Sequence, residues 1–400
     1  MRKISLTALL ALCSAFSSPA AHAWSAAPAA VRISLLTFGP GQIYWERFGH
    51  NAILVRDPRN GEALVYNYGI FDFSQKNFFL NFARGVMRYR IAADPLGADL
   101  AMYAAEGRSV TEQALDLSPA QSGKLARFLA WNARPENAQY AYDYFVDNCS
   151  TRVRDALDLA LGGILHRQLT ALPAAHNYRF EATRLIWPDH WLMLGMDVAL
   201  GPAADRPLNL WQESFIPMVL ARALRQVAVT DAAGHVRPLV VAERVLLPGA
   251  LPPAPAAPPD LRLPFLLAGL TLAAMLLWLA RAGRGAHRWP FTALAGTLWL
   301  ICGLGGLVLA AMWSLTEHWA AWGNENLLLL DPLCLSLPWL WRRVDGAGRW
   351  LATLVALLAL ASLPLRLLPG AYQHNLAFIA LLAPPHLALA SAAWRRGRTA

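Results

Sequence analysis

Cys149 is the one cysteine between residues 24 and 262, a stretch that otherwise reads as an exported soluble domain. A lone thiol in an oxidising compartment is either buried and inert or kept for its chemistry. Val153, Leu157 and Leu161 recur at four-residue spacing after it, and Asp147 or Asn148 is a natural N-cap, so a helix is predicted to begin at the cysteine. Unpaired amides and the positive dipole end of such a helix stabilise a thiolate, lowering a pKa that starts near about 8.5, and they can also hold the oxyanion of a tetrahedral intermediate. The chemistry predicted here is nucleophilic attack on a carbonyl.

A thiol nucleophile wants a base. The candidates in the same stretch are His50, His166, His176, His190 and His235. His50 is best placed, because Phe48-Gly49-His50-Asn51-Ala52-Ile53-Leu54-Val55 reads as a loop entering a strand. A second β-prone run, Ala63 to Tyr68, follows the turn residues Asp57-Pro58-Arg59-Asn60-Gly61, which predicts a hairpin. A histidine at a strand end facing a cysteine at a helix start is the geometry of papain-like enzymes, here with the histidine first in the chain. Asn67, Asp72 and Asn148 are candidates to orient the imidazole, and Asn148 and Ser150 also stand where an oxyanion would form.

The elements that must hold this pair belong to a chain of unusual composition. It has 400 residues, 56% hydrophobic and 15% charged, with a net charge of +9. That excludes a disordered or wholly soluble chain. The charge is not a nucleic-acid footprint, because residues 24–262 are nearly neutral, with 23 Lys or Arg against 22 Asp or Glu. Met1-Arg2-Lys3, an apolar run to about Phe16 and a small-residue end at Ala21-His22-Ala23 have the three regions of a secretory signal, predicting residues 1–23 as a signal peptide. Residues 24–247 form the predicted catalytic domain, and 248–262 a proline-rich, semi-rigid spacer holding it off the bilayer. Five apolar stretches follow, at about 263–280, 291–313, 326–341, 350–367 and 375–394, with a basic tail at 395–400.

Nine of the ten basic residues after 262 fall on one side of such a membrane domain, namely Arg281, Arg284, Arg288, Arg342, Arg343, Arg349, Arg395, Arg396 and Arg398. The positive-inside rule makes that side cytoplasmic. Arg366 is the exception. Asp331-Pro332 and Pro338 interrupt the third stretch, so four spans with a broken segment is an alternative, which the charge count disfavours because losing a span would move a basic loop outside.

Three blocks together, Phe48-Gly49-His50-Asn51-Ala52, Tyr66-Asn67-Tyr68-Gly69-Ile70-Phe71-Asp72-Phe73 and Asp147-Asn148-Cys149-Ser150-Thr151-Arg152, resemble the periplasmic domain of the Lnb-type lipoprotein N-acyltransferases, the intramolecular transacylases. In the membrane part, Glu317-His318, Asn324-Glu325-Asn326-Leu327 with Pro332, and His374-Asn375-Leu376 look like that family's polar positions between spans. The resemblance implies a permuted NlpC/P60-like, papain-related α+β domain with a Cys and His pair, followed by an all-α membrane domain of about five helices. It also implies transfer of an acyl chain within a diacylglyceryl lipoprotein, through a Cys149 thioester, to the N-terminal amine, giving a lyso form in the inner membrane.

Residues 76–90, with Arg84 and Arg88 among aromatics, suit an interfacial segment that receives headgroups and acyl chains. Arg152, Glu317, His318, Asn324, Asn326 and His374 are further candidates for substrate binding, the last five lying on the predicted outer membrane face beneath the soluble domain. The chain has no H-E-x-x-H or paired C-x-x-C, no G-x-S-x-G elbow and no phosphate loop, so neither metal, serine nor nucleotide chemistry is expected, and no cofactor. The competing readings are a cysteine peptidase or amidase acting on peptidoglycan, and a non-catalytic membrane-anchored scaffold with an inert Cys149. The sequence does not set an oligomeric state.

Overall fold

The structure, a computed structural model, describes residues 30–71, 73–231, 233–281, 288–341, 346–368, 370 and 373–396. The predicted signal peptide, Asp72, and the basic positions Arg284, Arg342, Arg343 and Arg398 lie outside the described residues.

The first half of the chain is built on a seven-stranded antiparallel sheet of order β6-β4-β3-β2-β1-β5-β9. Its strands are β1 (Arg32–Phe38), β2 (His50–Asp57), β3 (Glu62–Ile70), β4 (Met87–Pro95), β5 (Val110–Leu115), β6 (Gln139–Tyr142) and β9 (Val240–Leu247), while β7 (Ala228–Thr230) and β8 (Val236–Pro238) form a separate hairpin. The predicted hairpin is present, with Ala52 opposite Asn67 and Asp57 opposite Glu62. β1 is buried along almost its whole length, because the sheet is covered on both faces and a doubly covered strand cannot afford alternation. Leu35, Ile53, Tyr66 and Tyr68 face one core, which helix α4 (Cys149–Leu161) completes with Val153 and Leu157. Leu36, Phe38, Ala52, Leu54 and Val65 face a second core with Tyr103 of α2 (Leu96–Ala105).

The remaining helices of this half are α1 (Phe78–Arg84), α3 (Pro119–Asn132), α5 (Ile164–Thr170), α6 (Tyr178–Ile186), α7 (His190–Ala199), α8 (Leu210–Glu213) and α9 (Pro217–Leu224). α1 has no buried residue, and Phe73, Phe79, Leu80 and Phe82 stand exposed around it.

The second half is helical, with α10 (Arg262–Arg281), α11 (Arg288–Leu315), α12 (Leu337–Leu340), α13 (Ala347–Ala361) and α14 (Leu376–Arg396). Among the described residues four helical segments are long and apolar enough to cross a membrane: Arg262–Arg281, Trp289–Leu315, Ala347–Leu367 and Leu376–Arg395. The third apolar stretch is therefore not a continuous spanning helix. Pro332 and Pro338 interrupt it, leaving 3₁₀ turns at Glu325–Leu328 and Pro332–Ser336 before the single turn of α12.

It nonetheless runs antiparallel along α11. A Cβ on Gly306 would sit 2.0 Å from the Leu330 carbonyl oxygen, and the Trp341 ring lies 5.1 Å from Trp299 and 5.8 Å from Phe291, near the start of α11. A 3₁₀ turn rises about 2.0 Å per residue against 1.5 Å in an α-helix, so a short broken segment covers the same depth. Its loosened backbone is met from the side, with His386 Nε2 of α14 3.0 Å from the Leu329 carbonyl oxygen. The chain thus returns to the side from which α11 started without a fifth regular helix. Arg366, the outlying cation, is paired with Glu325 at 3.1 Å.

The proline-rich segment is not a spacer. The Ala250 N–H donates to the Gly107 carbonyl at 2.9 Å and Arg184 donates to the Pro255 carbonyl at 3.0 Å, so it lies along the soluble domain. That domain sits directly on the outer ends of the membrane helices. Trp319, just past α11, packs its ring against Phe145 and Tyr178 and donates its indole N–H to Asp143 at 2.7 Å.

Candidate functional site

β2 begins at His50, and α4 begins at Cys149. The residue after each ties the two elements together: the Ser150 hydroxyl lies 2.9 Å from Asn51 Oδ1 and 2.7 Å from the Ser214 carbonyl oxygen. Asn51 is fully buried and donates its own amide to the Leu36 carbonyl and the Thr37 hydroxyl. Histidine and cysteine, 99 positions apart in the chain, are in this way brought to one end of the sheet, both only partly buried.

Asn148 caps α4. Its Oδ1 accepts from the Ser150 and Thr151 N–H groups, the Thr151 hydroxyl accepts from its own N–H, and its Nδ2 donates to the carbonyls of Tyr144 and Phe215. Every polar atom of that amide is used in starting the helix and anchoring it, which leaves none to orient His50.

Asn67 does meet the imidazole. His50 Nε2 is 3.1 Å from Asn67 Oδ1, and Asn67 Nδ2 donates to Asp99 Oδ2 at 2.9 Å. A carboxylate accepts, so Asp99 fixes which way the amide faces, and the oxygen turned to His50 requires the proton on Nε2. Nδ1 is left unprotonated. Asn67 was legible as a candidate. Asp99 was missed, and its only signal is a polar residue in the first turn of a mainly apolar helix. The ring of His50 is backed by Phe38 at 5.5 Å, which stacks on Tyr103 at 3.9 Å.

The electrostatics differ from the sequence expectation. Burial holds His50 down at about 4, with Arg108 adding to the effect and the Asn67 hydrogen bond opposing it. Burial also raises the Cys149 thiol above its ordinary value, although backbone N–H groups of Asn51, Ser150 and Cys149 itself, and the charge of Arg108, pull the other way. The helix start supplies the expected donors, but desolvation outweighs them, so the resting pair is neutral thiol and neutral imidazole rather than thiolate and imidazolium.

A train of rings leads from this site to the membrane face. Tyr142, which packs with Cys149 against the same core, stacks on Tyr89 at 4.1 Å, Tyr89 lies 5.2 Å from Phe71, and Phe71 meets Phe73 at 5.1 Å. Phe73 continues to Phe78, Phe78 to Phe82, Phe82 to Tyr144, and Tyr144 to His318. His318 Nε2 is 3.1 Å from the Phe82 carbonyl oxygen and the Glu317 N–H donates to the Arg84 carbonyl at 2.8 Å, so α1 rests on the outer end of α11. Arg84, Arg88 and the Glu317 side chain are exposed beside it.

Other predicted binding residues lie elsewhere. Asn324 and Asn326 are buried, and their amides donate to the Val198 carbonyl, Asn324 also to that of Ala199. They weld α7 to the membrane domain and have no polar group left for a ligand. Next to them Arg179 pairs with Asp205 and Asp197, and His374, whose side chain is mostly exposed, has its Nδ1 3.3 Å from Asp205. Arg152 is committed to Asp147 and covers the Tyr140 ring at 4.3 Å.

The other candidate bases have partners of their own. His190 reaches the Trp187 carbonyl, His235 reaches Asp231, and His166 packs edge-on against Trp211. His176 Nδ1 stands 3.2 Å from Glu181 and 3.4 Å from Glu213, the one group of metal-ligand type spaced for an ion among the described residues. Arg184 already bonds Glu181 and brings positive charge there.

A mixed domain with a cysteine and a histidine at one end of its sheet, set on apolar spanning helices, defines a membrane-bound protein with a thiol site outside the bilayer. Residues 19–181 match the model of the Lnb N-terminal periplasmic domain and residues 259–395 that of the Lnb transmembrane domain. The chain belongs to the Lnb family, and is thereby a multi-pass membrane enzyme with a periplasmic domain that modifies lipoproteins. No curated protein matches the chain significantly, and no solved structure does.

Proposed function

We propose that this chain is a thiol acyltransferase of the inner membrane, which moves one acyl chain of a diacylglyceryl lipoprotein onto the α-amine of that lipoprotein's N-terminal cysteine. His50 Nδ1 takes the thiol proton while the Cys149 sulfur bonds to the ester carbonyl carbon. The ester C–O bond then breaks, and His50 returns the proton to the departing glyceryl oxygen. The α-amine attacks the thioester, gives a proton to His50, and the C–S bond breaks to restore the thiol and leave an N-acylated lyso lipoprotein. Ester and amine become alcohol and amide, which runs downhill without an energy source.

The observation that carries this reading is the unbroken series of aromatic rings between Tyr142, packed with Cys149 against one core, and His318, at the outer end of α11. Its exposed end at Phe73, Phe79 and Phe82 offers an acyl chain an apolar surface, and exposed Arg84 and Arg88 offer charge to a headgroup. An apolar lining also disfavours water, the competitor for a thioester. A peptidase or amidase acting on peptidoglycan could use the same Cys and His, but it gives these rings no role.

The test is mass spectrometry of a lipoprotein's N-terminal peptide after expression in a host lacking other N-acyltransferases. The proposal expects an N-acylated lyso terminus with the native chain and a diacylated free amine with Cys149→Ala. A free amine in the presence of folded native protein contradicts it.

A further inference from the structure

Tyr140 of β6 is 7% exposed, and its hydroxyl oxygen is buried without a hydrogen-bond partner. Buried hydroxyls are nearly always paired, so an orphan one at a reactive centre points to a group that arrives later. The contrast with its neighbour is direct, since the Tyr68 hydroxyl donates to Asn132 Oδ1 at 2.7 Å. The Tyr140 ring is held in place by Arg152, whose guanidinium lies 4.3 Å over it and is itself fixed by Asp147, and by Tyr68 edge-on at 6.0 Å. The phenol oxygen lies close to Gly69, which in turn adjoins Cys149. A Cβ on Gly69 would lie 4.0 Å from the Tyr140 oxygen and 3.4 Å from Cys149 Cβ, both ordinary contact distances, so this one backbone position adjoins hydroxyl and cysteine alike. Gly69 has φ +91°, within the irregularity where β3 loses register with β4.

Backbone N–H groups of Asn51, Ser150 and Cys149 reach the sulfur, but not all of them are free. The Ser150 N–H is already engaged by Asn148 Oδ1 at 2.9 Å. We infer that Tyr140 is a catalytic donor: its hydroxyl hydrogen-bonds the oxyanion formed when the Cys149 sulfur adds to an acyl carbonyl seated beside Gly69. This assignment rests on the acyl-transfer reading above. The phenol is suited to donate rather than to act as a base, because burial, then the neighbouring Cys149 and Asp147, raise it far above its ordinary value. The donation moves no proton. As the C–S bond forms, the carbonyl electron pair localises on oxygen and shortens its contact with the phenol, and the contact relaxes when the C–O bond breaks.

Two reactions at the same sulfur separate this role from others. Alkylation by iodoacetamide displaces iodide and passes through no oxyanion, whereas acylation by p-nitrophenyl butyrate does. With the full chain in detergent, Tyr140→Phe should lower the rate of p-nitrophenolate release and of butyryl-Cys149 formation by about 10²-fold, and leave the alkylation rate unchanged. Equal slowing of both reactions would assign the hydroxyl to the thiol or the fold, and an unchanged acylation rate would deny it a role; either overturns the inference. A native chain that alkylates at Cys149 but takes no acyl group from the ester overturns the thioester reading, and this assignment with it.

Discussion

Asn67 presents its Oδ1 to His50 Nε2 at 3.1 Å while its Nδ2 is tied to Asp99. The imidazole is thereby held with Nδ1 unprotonated, and in the proposed mechanism Asn67 and Asp99 are its positioning residues. Asn67→Ala should lower kcat for acyl transfer by about 10²-fold with KM little changed, since the base loses its orientation and tautomer rather than the substrate its seat. Asp99→Asn, which keeps the shape but lets the Asn67 amide rotate, should fall between Asn67→Ala and the native chain. A rise in KM alone for either variant would show that these residues bind substrate.

The neutral resting pair gives a distinctive pH profile. With His50 held at about 4 and Cys149 raised by burial, the iodoacetamide rate at Cys149 should climb with pH through the whole range from 5 to 9. A thiolate and imidazolium pair would instead give a plateau between its two pKa values. The same shift bears on stability. A histidine whose folded value lies below its unfolded 6.5 binds its proton more weakly in the folded state, so stability is lost as pH falls from 6.5 towards 4. Chemical denaturation at pH 7 and pH 4.5 should show this loss, and His50→Gln should diminish it.

Gly69 stands next to Cys149 without a side chain. Gly69→Val puts branched carbons within van der Waals reach of Cys149 and forces a backbone with φ +91° on a residue that avoids it. Acylation should be nearly abolished while the fold, read by circular dichroism, persists. Normal acylation by Gly69→Val would mean that the acyl carbonyl does not enter there.

The junction between the halves should be costly to break. Arg179 and Asp205 are both buried, and Asp205 also bonds the His374 N–H at 3.0 Å. Arg179→Ala strands a buried carboxylate, which costs about 3–5 kcal/mol. A clear fall in the temperature at which the detergent-solubilised protein aggregates is expected, and no shift would show that the contact is dispensable.

The exposed rings around α1 should serve a lipid substrate and not the chemistry. Phe79 is 74% exposed. Phe79→Asp should raise KM for a long-chain lipopeptide in micelles and leave the rate with p-nitrophenyl butyrate unaltered. Equal effects on both substrates would place this residue in the structure of the site instead.

Much of this was legible because it is local. The hairpin of β2 and β3, the helix start at Cys149 and the apolar stretches follow from periodicity, turn residues and capping, all short-range signals. Asn67 could be named but not chosen over Asn148, since both are amides near the motifs and only the fold shows that α4 uses every polar atom of Asn148. Asp99 and Tyr140 were invisible for the same reason: each reaches the site from another strand or helix, across a sheet whose pairing composition does not encode. The thiol was misread because a helix terminus is visible in a sequence and desolvation is not. The polar residues Asn324 and Asn326 looked like ligands for headgroups, but their partners are carbonyls of α7, more than a hundred positions away.

The central claim is that Cys149 itself accepts the acyl chain. A diacylated lipopeptide whose α-amine is blocked by acetylation can donate to the sulfur but cannot take the chain back on nitrogen. Incubated with this substrate and quenched in acid, the native protein should yield a Cys149 peptide heavier by one acyl group, and hydroxylamine should remove the increment. If protein that converts the free-amine lipopeptide in parallel shows no such adduct, transfer does not pass through a Cys149 thioester.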